Sequence, residues 1–428
     1  MPKMKAVQVP KAGGDFEVVE REIPDAGQGQ VRIRVQACGV CHSDVVTKEG
    51  LFPGISYPRV PGHEVVGKID QVGAGVKGWN KGDRLGVGWH GGQDGTCRAC
   101  RRGDFVNCAN GLVCGVSYDG GYQEFMVAPV EALARMPDSL DAAEAAPLMC
   151  AGLTTFNALR HSGAFAGDLV AVQGVGGLGH LGIQFANKSG YRVVTVSRGT
   201  ANAAIAKKLG ADVYIDSAAT DPATELQNLG GARVILATAP SGKAMTSLIG
   251  GLGTNGTFVV VGASADPIEV STTLLILGKR TIKGWSAGTP ADSEDTLRFA
   301  EATGIRPMIE KYPLEKAAEG YARMMSGDAQ YRVVLAIGYQ AELKLKLGAE
   351  GVINEKRKTT SGGVYRLLFS GHEESCRNVF GRRCVRDAIF GESRNRVAIH
   401  GSEGNQWILP VRARSLSGYG FPRCQDRV

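Results

Sequence analysis

The stretch Leu169-Val-Ala-Val-Gln173-Gly174-Val-Gly176-Gly177-Leu178-Gly179 decides the fold. It begins as a short apolar run, suited to a strand buried on both faces. It then breaks into glycines, and a helical period follows from about Leu178 to Ser189. Gly174, Gly176 and Gly179 stand in a G-x-G-x-x-G spacing. That spacing is a weak signal alone and a strong one between a strand and a helix. The first glycine permits a tight turn, the second lets a pyrophosphate approach the backbone, and the third lets helix and strand pack closely. The helix end adds positive partial charge for the diphosphate. Gly177 and Leu178 complete the turn as cofactor-binding candidates. The plainer alternative is a glycine-rich turn in an unliganded α/β domain.

Downstream, strands are expected at 191–196, 213–215, 234–237 and 257–261, with a helix over 201–209. Alternating strands and helices imply a doubly wound parallel sheet. An acidic residue closing the second strand would bind a bare ribose, but Ser197 and Arg198 stand there. Without the carboxylate, and with a guanidinium beside it, NADP is favoured over NAD. The alternative is that Arg198 stacks on adenine and NAD serves as well.

Upstream, residues 1 to about 150 read as short strands broken by glycine and proline, as in the alternating Val31-Arg-Ile-Arg-Val35 and in 85–87. A β-barrel-like unit follows. Residues 147–160 read as one helix, helices are expected at 293–302 and 315–325, and a strand at 332–336. No internal repeat is present, and beyond Gly338 the regularity fades.

The net charge of +7 belongs to one end of the chain. Residues 341–428 hold 16 Lys and Arg against 9 Asp and Glu, and the rest holds 33 of each sign. A neutral body argues against a nucleic-acid partner. No signal-peptide pattern or membrane-length apolar run is found, so a cytoplasmic protein with reduced thiols is expected. Seven of the ten cysteines precede residue 151, which points to metal or catalysis before disulfides.

Gly39-Val-Cys41-His42-Ser43-Asp44, Pro61-Gly62-His63-Glu64 and Pro147-Leu-Met-Cys150 supply two thiolates and an imidazole, the donor set of an open zinc site. Soft sulfur and borderline nitrogen suit Zn2+ over Mg2+ or Ca2+. Three protein ligands leave a fourth position for an alcohol, whose pKa a Lewis acid lowers so that a hydride can pass to nicotinamide. Asp44 is placed to orient His63, and Glu64 to lie just outside the ligands or join them transiently.

These motifs, with Gly82-Asp-Arg84 and the cysteine cluster below, resemble in order and spacing the zinc-dependent medium-chain alcohol dehydrogenases, in their yeast-type microbial branch. The resemblance spans roughly residues 5–338. It implies a GroES-like β-barrel catalytic domain over 1–150 and 287–338, a Rossmann domain over 151–286, an atypical tail over 339–428, and a homo-oligomer. The implied activity is hydride transfer between NAD(P) and an alcohol or aldehyde, with Zn2+ at Cys41, His63 and Cys150. Ser43 would take the alcohol proton and pass it to a cofactor ribose. The family's terminal relay histidine is replaced by Val46, so the last step must reach solvent another way. His42 and Arg332 resemble pyrophosphate contacts, Thr154 a residue beside the nicotinamide, and Phe52 and Trp89 bulky pocket positions. Cys97, Cys100 and Cys108 match three ligands of a structural zinc site, whose fourth position is Asp94, a legitimate ligand in place of cysteine. The alternative is a lobe that has lost its metal. Cys38 and Cys114 read as packing residues.

Two other functions stay open: a zinc-free quinone reductase on the same fold, which would lack Cys41, His63 and Cys150, and a nucleotide-binding scaffold without turnover. Residues 339–428 are either a disordered extension, sequence beyond a natural stop, or a binding arm carrying Arg382, Arg383 and Cys384.

Overall fold

The computed structural model describes residues 2–338 and, beyond them, only the backbone of three short strands. Its centre is a six-stranded sheet, all parallel, in the order Val213–Asp216, Arg192–Ser197, Leu169–Gln173, Ala232–Ala237, Leu252–Val260, Thr281–Gly284. Counted along the chain this is 3-2-1-4-5-6, the doubly wound order. The order reverses beside Leu169–Gln173, so the glycine turn opens at the switch point where such sheets bind ligands. Val170, Val172, Val193, Val234 and Leu236 are fully buried, because helices cover both faces. Phe185, on the helix Gly179–Lys188, packs on Phe156 with ring centroids 5.1 Å apart. Burying a ring of that size is worth about 2–3 kcal/mol.

The second body is a seven-stranded sheet. Its long strand Gln30–Val40 pairs antiparallel with Val65–Val72, Phe125–Pro129 and Arg332–Ala336. Arg332–Ala336 thus brings the distal end of the body onto the strand that leads into Cys41. Ile33, Val35, Val65, Leu85 and Met126 form its core.

Several boundaries differ from expectation. The helix read over 147–160 is two elements: a 3-10 turn Ala146–Met149 and the helix Ala151–Arg160. Between them Cys150 takes φ −130° and ψ −72°, outside helical geometry. Pro147 stands at the start of the 3-10 turn, where its missing N–H breaks no helical bond. The helices Pro222–Asn228 and Gly242–Ile249 escaped the sequence reading, although Asp221 and Ser241 cap them through side-chain oxygens.

In the tail, Ala388–Phe390, Arg396–His400 and Gln406–Pro410 pair as an antiparallel sheet. That short regularity was not read from the sequence. Arg382, Arg383 and Cys384, and the expectation of disorder, lie outside the described residues. No helix among the described residues is long and apolar enough to cross a membrane.

Candidate active site and metal centres

The strand Gln30–Val40 ends at Cys41, and a 3-10 turn, His42–Asp44, follows at once. The turn folds Asp44 back so that its Oδ2 accepts the Cys41 N–H at 2.9 Å. Asp44 Oδ1 lies 3.1 Å from His63 Nδ1, and Tyr122 Oη donates to Oδ2 at 2.8 Å. One buried carboxylate therefore organises three groups. Tyr122 was missed in the sequence: nothing local marks a tyrosine 78 residues from its partner.

Cys41, His63, Glu64 and Cys150 each offer a ligand atom, all within 4.8 Å of one another. The two sulfurs are 3.9 Å apart. With Nδ1 held by Asp44, His63 Nε2 is buried and has no hydrogen-bond partner. An orphaned imidazole nitrogen beside two thiols fits a soft divalent cation. The bond with Cys150 holds Cys41 well below the ordinary thiol pKa, and the same bond and burial hold Cys150 well above it. Burial opposes the His63 imidazolium, but Cys41 and Asp44 outweigh it and raise its pKa.

Glu64 is fully buried and forms an ion pair with Arg332, whose Nη2 also donates to the Val40 carbonyl at 3.3 Å. Burial pushes Glu64 up to about 7 against the pull of Arg332. Its Oε2 has no partner. Arg332 also touches the glycine turn: a methyl on Gly177 would lie 2.9 Å from its Nη1. Arg332 thus stands between the turn and the Cys–His cluster.

The turn itself matches the requirements of its motif. Gly174 has φ +83°. A methyl on Gly179 would run into the Gly174 carbonyl, whereas one on Gly176 would meet nothing within 4 Å. Helix and strand touch at the third glycine, and the second faces open space. Ser197 closes the second strand, and Arg198 beside it is exposed.

Trp89 packs edge-on to His63, centroids 4.9 Å apart. Thr154 is buried, four residues into the helix that begins after Cys150. Ser43 is half-buried, and His42 and Phe52 are exposed, so the fold brings Trp89 to the cluster and leaves Phe52 on the surface. Cys38 and Cys114 are fully buried.

A second cluster joins Asp94, Cys97, Cys100 and Cys108, again with ligand atoms within 4.8 Å. The Cys100 N–H and the Asp94 N–H point at the sulfurs of Cys97 and Cys108, at 3.5 and 3.4 Å. Asp94 Oδ1 accepts the Thr96 and Cys97 N–H groups, and Oδ2 accepts from Asn110 at 2.6 Å. The Cys97 and Thr96 bonds, with that of Asn110, hold its pKa well below the carboxylate range. Three bonds leave about one of a carboxylate's four lone-pair sites open, so the donor set still suits a metal.

Comparison with known proteins agrees with this arrangement. Residues 27–138 match the alcohol dehydrogenase GroES-like domain, and residues 177–302 match the zinc-binding dehydrogenase domain. The chain is 45% identical over 326 residues to alcohol dehydrogenase patD of Penicillium expansum, covering 76% of this chain and 95% of that protein. It is 38% identical over 338 residues to an alcohol dehydrogenase of Geobacillus stearothermophilus, covering 78% and 99%. A solved NAD-dependent alcohol dehydrogenase superposes with a TM-score of 0.73 at 28% identity, covering 78% of this chain and 100% of that one. Fold and site together define an oxidoreductase acting on alcohols. The chain belongs to the zinc-type medium-chain alcohol dehydrogenase family. Membership implies zinc and a nicotinamide dinucleotide.

Proposed function

We propose that this protein interconverts primary or secondary alcohols and their carbonyl products, using catalytic zinc and preferring NADP(H). The observation that carries the reading is the grouping of Cys41, His63 and Cys150 with an unpartnered His63 Nε2, next to an arginine that also touches the glycine turn. Cys41, His63 and Cys150 would hold the zinc, and when bound it supplies a Lewis acid for the alcohol oxygen. Asp44 fixes the His63 tautomer through Nδ1. Ser43 Oγ would accept the alcohol proton as it gives up its own, and with Val46 in place of a histidine that proton would reach solvent by water. Trp89 narrows the pocket toward slim substrates, and Thr154 supports the nicotinamide. Gly174, Gly176, Gly177, Leu178, Gly179, His42 and Arg332 take the pyrophosphate, and Ser197 with Arg198 the 2′-phosphate. Asp94, Cys97, Cys100 and Cys108 would hold a second, structural zinc.

The catalytic domain comprises residues 1–150 and 287–338, and the dinucleotide domain 151–286. Residues 339–428 are dispensable for turnover, so a chain ending at Gly338 should remain fully active. Exposed Ile276 and Leu277, preceding the edge strand Thr281–Gly284, support a homo-oligomer.

The test is a panel of alcohols and aldehydes assayed with both cofactors, on the wild type and Cys150→Ala. Turnover with a higher kcat/KM for NADP(H), lost in the variant while cofactor binding persists, is expected. Turnover undiminished in Cys150→Ala would sink the metal reading, and a ratio favouring NAD(H) would sink the preference.

A further inference from the structure

The glycine turn and the strand bearing Arg332 are joined by a side chain that the proposed chemistry does not use. His180 follows Gly179 and is fully buried. Its Nδ1 lies 2.9 Å from the Gly176 carbonyl, which can only accept, so Nδ1 carries the hydrogen. Its Nε2 accepts the Met308 N–H at 3.3 Å. The Met308 carbonyl in turn accepts the N–H groups of Tyr331 and Arg332, both at 3.0 Å. The imidazole stacks on Tyr331 with centroids 5.0 Å apart. One helical turn further on, Gln184 repeats the link, its Nε2 donating to the Arg306 carbonyl at 3.1 Å and its Oε1 accepting the Arg306 N–H at 3.4 Å. The chain of bonds runs from the turn, through His180 and Met308, to the arginine that pairs with Glu64 beside Cys41.

We propose that His180 is a positioning residue that holds Gly176 and Arg332 in a single register, so that one imidazole sets both the phosphate-binding turn and the Arg332–Glu64 pair. The proposal rests on the dinucleotide reading given above. A neutral imidazole suits the task because it carries a donor and an acceptor across a rigid ring. Burial keeps it neutral, pulling its pKa down to about 4. Removing it takes away the side-chain partner of the half-buried Met308 N–H and frees the Gly176 carbonyl.

The test measures NADP(H) and NAD(H) dissociation constants by titration calorimetry on the wild type, His180→Phe, Arg332→Lys and the double variant. Phenylalanine keeps a flat ring against Tyr331 and removes both hydrogen bonds. We expect His180→Phe to weaken binding about tenfold, because the turn and Arg332 then meet the pyrophosphate out of register. We also expect it to add less than its full effect on the Arg332→Lys background, because the part that acts through the guanidinium is already lost there while the bond to Gly176 is not. Wild-type affinity in His180→Phe, or two effects that multiply, would overturn the proposal. Should His180→Phe fail to fold, His180→Asn, which keeps a donor near Gly176 and loses the acceptor for Met308, carries the test, and wild-type affinity there overturns it equally. A wild-type chain that binds neither dinucleotide would sink the dinucleotide reading itself and this proposal with it.

Discussion

His63 presents Nδ1 to Asp44 at 3.1 Å and keeps Nε2 buried without a partner, so the carboxylate selects which nitrogen is left to bind. Asp44 does this while also accepting the Cys41 N–H and the Tyr122 hydroxyl. Asp44→Asn keeps the shape but removes the charge and one acceptor. Its zinc affinity should fall roughly ten- to a hundredfold, the usual cost of losing the group that orients a ligand histidine. Competition with a chelator of known affinity measures this; a variant that holds zinc as tightly as the wild type would refute the role.

Two glycines of one turn should respond in opposite ways. A methyl at Gly176 meets nothing, whereas one at Gly179 strikes the Gly174 carbonyl. Gly176→Ala should therefore melt at the wild-type temperature and lose cofactor affinity by tenfold or more, because the backbone can no longer approach the pyrophosphate. Gly179→Ala should lose about 1–3 kcal/mol of stability, as other overpacked sites do. Thermal melts and cofactor titrations on both variants separate the two effects.

The cysteine lobe predicts a metal count. Purified, fully active protein should carry two zinc ions per chain, and Asp94→Ala should carry one. Elemental analysis decides it, since a single zinc in active wild-type protein excludes the second site. Cys100 must give up a proton to bind, and burial holds its pKa up at about 12. Occupancy of this site should therefore fall as pH is lowered.

His180 should leave a signature in the acid stability of the fold. Its pKa is about 4 in the folded protein against an ordinary 6.5. The unfolded chain takes up this proton as pH falls through about 6.5, and the folded chain does so only near 4. The group's contribution is thus intact above 6.5 and is lost as pH falls from 6.5 toward 4. Between pH 7.5 and pH 5 the stability gap between wild type and His180→Phe should narrow by roughly 2 kcal/mol, at about 1.4 kcal/mol per pH unit. Urea unfolding at the two pH values reads the gap; a gap that does not change would contradict a neutral buried imidazole.

Much of the architecture was legible because its signals are local. The strand Leu169–Gln173, its glycine turn and the helix after it carry their own period and punctuation, and so does the alternation at Val31–Val35. The helices Pro222–Asn228 and Gly242–Ile249 were not legible: each is about two turns long, too short for a period to stand out. Cys150 was read inside a helix because propensity sees neighbours and not the break after Pro147.

By itself the sequence determined the parallel sheet, the turn that ends its first strand, and an inventory of thiols and imidazoles apt for zinc. Those depend on residue chemistry and on spacings of a few positions. Only the tertiary structure decided that Tyr122 reaches Asp44, that Glu64 is neutralised by Arg332 from 268 residues away, and that His180 ties the glycine turn to the last strand of the body. The physical reason is that such contacts are made where separate sheets and helices pack against one another. Distances across those packed faces follow from the burial of the whole core and are written in no short stretch of chain.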